Sequence, residues 1–322
     1  MSFQQINESP SESSFKFHYS GKGSELAFIM YKNLFFSIIT LGIYVAWGRT
    51  NVRRYLWGHT HFLNDRACYT GTGKELFIGM LKAFAIYLVL SLILGITSKF
   101  FPLIMSIGSI PVYLVLMGLV VYGALHYRIS RTTWRGVHLG LDKNRKLTNK
   151  FVGLWSMYFV FTLITLGLGF PLMVHKVRSF LMNNMRIGES YFKYTGTALG
   201  LYKIYGKALF LIPLTLGLYS FWFSVETMRY RLEHTQFQNA HLRTNLKGGE
   251  LFRFSLLAYV LTILTLGLAT PWVINMFHGL IINSIDFHGT INLEEVKNSH
   301  LKGIDGAAAD GGASGYDIDI AV

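Results

Sequence analysis

Three kinds of side chain in this sequence combine a binding chemistry with a telling spacing. His59 and His61 fall on one face of an extended segment, and His234 occupies the same place in a matching stretch, His234-Thr235-Gln236-Phe237 against His59-Thr60-His61-Phe62. Imidazoles so placed suggest a metal, but no carboxylate or cysteine recurs in register, so interfacial histidines without metal are expected. Lys32 and Lys207 each stand ten residues before a glycine that ends an apolar run, and Lys82 lies one to two turns into another run. A cation in such a run is a candidate site for an anion or lipid headgroup. The competing reading has it snorkel to the interface or neutralise Glu25 and Glu75. The third set is Arg53, Arg54, Arg178, Arg229 and Arg231, which follow the apolar runs where phosphate headgroups lie.

Nothing beside these residues suits covalent or hydrolytic chemistry. The sequence has no G-x-S-x-G, H-E-x-x-H or P-loop, and the pairs Gly21/Gly23 and Gly71/Gly73 suit turns better than phosphate cradles. Its single cysteine, Cys68, excludes an intrachain disulfide and a thiolate metal site. No apolar run holds paired carboxylates, which argues against the usual proton-coupled carrier. Neither enzymatic activity nor a metal or cofactor is expected.

Composition sets the medium. With 51% apolar, 15% aromatic and 15% charged residues in 322, the chain carries too little charge for a soluble surface. The formal charge of +13 comes from Lys and Arg clustered just beyond the apolar runs, where the positive-inside rule puts them. Membrane lipids are therefore the expected partners and nucleic acid is not; a second copy of the chain stays open, and the ligand is unidentified. Residues 1–14 lack an apolar h-region and are expected to be disordered, with no cleavable signal peptide. The Gly-, Ala- and Asp-rich tail, 296–322, is expected to be disordered as well.

The positioning elements are organised by one stretch written four times, Thr40-Leu41-Gly42, Thr165-Leu166-Gly167, Thr215-Leu216-Gly217 and Thr265-Leu266-Gly267. Apolar runs at 26–47, 76–97, 102–125, 151–174, 200–223 and 251–275 are each long enough to cross about 30 Å of hydrocarbon. The expected fold is mostly α: a polytopic membrane protein with about six transmembrane helices in units of about 50 residues across 15–295, and small β-hairpins at the membrane surface. Gly42, Gly167, Gly217 and Gly267 are expected to take the left-handed conformation that closes a helix. Pro171 and Pro271 then open a second helix lying along the surface. Tyr44, Trp47, Tyr219, Trp222 and Trp272 are expected at headgroup depth. The competing reading is one straight helix through each glycine. Gly118 stands where the third run's elbow glycine belongs, Phe15 to Tyr19 alternates like a strand, and hairpins are expected around Asn64-Asp65 and Gln238-Asn239.

Single crossings leave one conflict: Lys176, Arg178, Arg186 and Lys193 fall outside although their segment resembles the cytoplasmic ones. Re-entrant hairpins keep every basic segment inside. The aromatic strand, the glycine turn with Glu25-Leu26, Ile39-Thr40-Leu41-Gly42-Ile43-Tyr44, Trp47, Arg53-Arg54-Tyr55 and the Tyr69-Thr70-Gly71 hairpin end together resemble the YjgN-like family of bacterial multi-pass inner-membrane proteins, which has no assigned function. The resemblance covers most of 15–292. It departs at Ala46-Trp47 and Phe221-Trp222, where the family's usual Pro-Trp survives only as Pro271-Trp272. It implies the bacterial inner membrane and no chemistry. Two functions stay open: transport or binding of a small molecule or ion, lined by Asn33, Lys82, Thr162 and Ser224, or a non-catalytic envelope scaffold that binds lipid at the arginines.

Overall fold

The computed structural model describes residues 14–142 and 144–290. In chain order, β1 (Ser14–Tyr19) leads to α1 (Gly23–Ile39), α2 (Val45–Gly58), β2 (Thr60–Phe62) and β3 (Asp65–Tyr69). Next come α3 (Gly73–Phe100), α4 (Pro102–Ser130), β4 (Thr132–Trp134) and β5 (Val137–Leu141), then α5 (Arg145–Ile164), α6 (Phe170–Asn183), β6 (Met185–Ile187) and β7 (Ser190–Tyr194). The order continues with α7 (Ala198–Leu214), α8 (Ser220–Glu233), β8 (Thr235–Phe237), β9 (Ala240–Thr244), α9 (Gly248–Leu264), α10 (Thr270–Ile282) and β10 (Ile285–His288).

The strands do not make separate surface hairpins, as the sequence suggested; they close into one antiparallel barrel. Each strand pairs with its sequence neighbour, and β1 pairs with β10 through Phe15 and Phe287 to complete the circle. Alternation explains why so short a barrel holds: Phe15 and Phe17 pack inward while Lys16 and His18 face outward. The turns use left-handed backbone, as tight hairpins require, with φ of 50° at Leu63, 62° at Asn64, 54° at Arg135 and 78° at Gly136. The first turn is thus Leu63-Asn64, one residue earlier than expected, whereas Gln238-Asn239 joins β8 to β9 as expected.

Because neighbours are antiparallel and β2–β3, β4–β5, β6–β7 and β8–β9 are joined by tight turns, every helix pair must leave from the same end of the barrel. The tight turns lie at the other end. Within each pair the helices run antiparallel, since their contacts are mirrored about the elbow. Asn33 Nδ2 donates to the Gly48 carbonyl at 3.2 Å, Lys207 Nζ reaches Glu226 at 3.4 Å, and the Phe254 and Phe277 rings lie 5.6 Å apart. The Phe151 and Phe180 rings lie 5.6 Å apart, and Tyr127 donates to Glu75 at 3.2 Å.

This overturns the expected six spans. The runs at 26–47, 151–174, 200–223 and 251–275 each straddle a turn, so an apolar length that suits one crossing is spent on a helix, its elbow and the start of the returning helix. It also corrects the surface helix: α2, α6, α8 and α10 fold back toward the barrel. Among the described residues, three helical segments are long and apolar enough to cross a membrane, Gly73–Phe100, Gly108–Ser130 and Arg145–Ile164. Gly118 makes no elbow; it lies inside α4, where a Cβ would meet Val152 at 3.3 Å and Trp155 at 3.4 Å.

The four Thr-Leu-Gly stretches share one backbone. The elbow glycines take positive φ as expected, but the first left-handed position after the helix is a leucine, with φ of 51° at Leu41, 50° at Leu166, 51° at Leu216 and 51° at Leu266. The glycine follows at φ between 88° and 93°, and its N–H closes onto a carbonyl five residues back, as Gly42 does on Ser37 at 2.7 Å. Threonine ties the two helices together. Thr215 Oγ1 donates to the Leu211 carbonyl at 2.7 Å and accepts from the Tyr219 N–H at 2.9 Å, and Thr40, Thr165 and Thr265 do the same.

Candidate functional site

The barrel axis is filled by large apolar side chains. Phe17 stacks on Phe62 at 4.5 Å between ring centroids, Phe62 lies 5.3 Å from Trp134 and 5.4 Å from Phe287, and Phe192 lies 4.8 Å from Phe237. Among these rings remains a chamber of about 250 Å³ with no polar surface. Such a space stays dry, because water needs polar partners to enter.

Above the plug, at the helix end, the last inward residues of three strands are buried tyrosines, Tyr19, Tyr69 and Tyr194. Burial pushes the Tyr19 and Tyr194 hydroxyls above their ordinary pKa, so both are neutral at physiological pH. Cations and an imidazole cap them. Arg53 lies 5.8 Å over the Tyr69 ring and Arg178 lies 5.6 Å over Tyr194, while His278 meets Tyr19 edge-on at 4.9 Å. Each of the three stands eleven positions beyond an elbow glycine, Gly42, Gly167 or Gly267. Threonines at the strand starts complete the layer: Thr235 accepts from Arg178 at 3.2 Å, and Thr60 meets His278 at 3.2 Å.

Arg54 donates to the Gly71 carbonyl at 2.7 Å and Arg229 to the Leu246 carbonyl at 2.9 Å, so both tie a returning helix to the next unit's entry. Arg231 donates to Tyr205 at 3.4 Å. Around Arg178, several buried polar atoms have no partner among the described residues: Arg178 Nε, Arg231 Nε, Tyr194 Oη, Thr227 Oγ1 and His175 Nδ1. Each atom left so costs about 1–3 kcal/mol.

The lysines do not join this layer. Lys32 and Lys82 are exposed, and Lys207 pairs with Glu226 and lies 5.5 Å over Tyr219. Glu75, read as a neutraliser of lysine, instead binds Arg131 at 2.8 Å and closes a capping box with Thr72. Of the expected liners, Asn33 is buried against Gly48 and Asn51, Thr162 donates to the Tyr158 carbonyl, Ser224 to the Ser220 carbonyl, and Lys82 lies on α3; they form no common path. His59 and His234 close their helices alike, each Nδ1 2.8 Å from the carbonyl of Tyr55 or Tyr230.

Trp47, Trp222 and Trp272 pack against neighbouring helices within the protein. Their indoles lie against the first residues of the neighbouring helices, Gly73, Gly248 and Gly23, where a Cβ would come within 2.4–2.5 Å of the ring. Pro271 is buried at the start of α10, and Pro171 at the start of α6. Sequence reasoning missed these seams, although the matching positions of tryptophan and glycine in the register carried the signal.

Fold and site together define a helix-rich membrane protein built on a closed ten-strand barrel with a capped apolar axis. The sequence matches a family described as bacterial protein of unknown function (DUF898) at residues 14–221 and 208–313, so the chain belongs to that family. Curated relatives include the inner membrane protein YjgN of Salmonella typhimurium, 31% identical over 165 residues, covering 47% of this chain and 40% of the relative. The same-named proteins of Escherichia coli O157:H7 and K12 are 30% and 27% identical over 168 residues, covering 52% of this chain and 39% of each relative. The matched stretch thus spans about two fifths of these relatives. No solved structure matches. With relatives so named and, among the described residues, three helices long and apolar enough to cross a membrane, the chain is a bacterial inner-membrane protein.

Proposed function

We propose that the chain is a non-conducting, lipid-binding protein: a closed barrel that carries five helix pairs into the inner membrane from the cytoplasmic side. The observation behind this reading is the filled axis, where aromatic rings occupy the one central route through the barrel. Charge supports the orientation. Basic residues crowd the barrel and helix bases, while the elbows carry one basic neighbour among the described residues, Lys99, so the positive-inside rule makes the barrel side cytoplasmic. On this reading Arg178, Arg186 and Lys193 stand on the barrel side with the other basic segments, and Lys176 lies midway along α6. At 13 or 14 residues, α2, α8 and α10 extend about 20 Å, less than the hydrocarbon thickness, so their pairs enter and return, whereas α3 and α4 are long enough to cross. The recurring order of helix pair and strand pair supports an origin by duplication of one unit.

The dry chamber favours a second reading, a pore whose hydrophobic constriction opens on wetting. Ion flux into proteoliposomes separates the two. The closed-barrel reading expects wild-type vesicles to hold K⁺ and chloride gradients as well as empty ones, and expects a leak only after Phe62→Ser with Phe237→Ser wets the chamber. Flux through the wild type contradicts it and supports the pore.

A further inference from the structure

One cavity outside the barrel is walled by side chains whose buried donors have no partner among the described residues. It lies between α6, α7 and α8, encloses about 380 Å³, and has Arg178, Tyr205, Ser224, Thr227 and Arg231 in its wall. Arg178 Nε, Arg231 Nε and the Thr227 hydroxyl are buried without a hydrogen-bond partner, and Thr227 is only 5% exposed. The bonds that the guanidiniums do make go to neutral oxygens. Arg178 Nη2 donates to the Arg231 carbonyl and to Thr235 Oγ1, each at 3.2 Å, and Arg231 Nη2 donates to Tyr205 at 3.4 Å.

Among the described residues, no carboxylate lies within ion-pair distance of either arginine. The acid on the same helix, Glu226, is held by Lys207 at 3.4 Å and Tyr219 at 2.9 Å. Two neighbouring guanidiniums in a half-enclosed site need a counter-charge, because burial penalises an unpaired ion and like charges repel. Arginine's planar fork matches an oxyanion, and a hydroxyl donor from a third direction suits a tetrahedral one.

We propose that this cavity binds a phosphate group, carried by a phospholipid headgroup or by inorganic phosphate. The lipid form rests on the lipid-binding reading above; the inorganic form does not. The test uses the full chain purified in detergent. Thermal stability is titrated with inorganic phosphate against chloride of matched ionic strength, and native mass spectrometry reads co-purified phospholipid.

The expected result is a saturable rise in Tm with phosphate or one phospholipid retained per chain. Either should weaken at least tenfold in Arg231→Gln and Arg178→Gln, and several-fold in Thr227→Val, which keeps both charges and serves if an arginine variant fails to fold. A phosphate shift without retained lipid assigns the free ion; retained lipid that phosphate does not displace assigns the headgroup. Neither signal, or equal signals in wild type and variants, overturns the site. Ion flux through wild-type vesicles would overturn the closed-barrel reading and leave this site standing.

Discussion

At each elbow the strained residue is a leucine. Leu216 is 95% exposed and left-handed, a conformation that costs a non-glycine residue about 1–2 kcal/mol. Glycine or asparagine would hold that backbone more cheaply, so an exposed leucine there is explained by an apolar surrounding. Leu216→Asn is therefore expected to hold or raise Tm in detergent while reducing recovery in the membrane fraction; equal recovery would remove the lipid explanation. Thr215→Val deletes the hydroxyl that joins α7 to α8 and is expected to cost about 1 kcal/mol, read as a lower Tm. Gly217→Ala meets no atom within 4 Å, so its cost, about 1 kcal/mol, comes from backbone alone.

Between elements, the tryptophan seams hold neighbouring helix pairs together. A Cβ at Gly73 would lie 2.7 Å from the backbone Cα of Trp47, which cannot rotate away. Gly73→Ala is therefore expected to destabilise the protein by about 1–3 kcal/mol, more than Gly217→Ala, with Tm in detergent as the measure. An order reversed between the two would refute the seam.

Local periodicity made parts of this architecture legible. The alternation from Phe15 to Tyr19 announced a strand, and Arg53, Arg178 and His278 share a spacing of eleven from an elbow glycine, although only the structure shows that they form one layer. Tyr19, Tyr69 and Tyr194 each recur before a glycine turn in the sequence, but their place beneath the arginines and His278 was not visible, because strand and helix meet only in three dimensions. Closure was hidden too, since β1 and β10 lie at opposite ends of the described chain and strands of three residues carry almost no pattern. The misjudged spans have a simple cause: an apolar run records its surroundings, not its direction. A turn closed by Thr-Leu-Gly is as apolar as the helix it ends, so 26–47 looked like one crossing when it is a helix and its return.

For the whole molecule, closure joins distant parts of the chain. Tyr19 N donates to Asn283 Oδ1 at 2.8 Å, its hydroxyl donates to Asn275 Oδ1 at 2.7 Å, and Tyr31 donates to the Leu268 carbonyl. Helix pairs that start and end on one rim of one barrel leave all its tight turns at the other rim, so the proposed reading puts those turns on one side of the membrane. The most direct test replaces Cys68, the single cysteine, and places single cysteines at Asn64, Glu189 and Asn239 in the tight turns and at His138, two residues past the Arg135-Gly136 turn, all exposed. A membrane-impermeant maleimide should label all four in inside-out vesicles and none in intact spheroplasts. Labelling that alternates between the two sides from one position to the next would contradict the closed barrel.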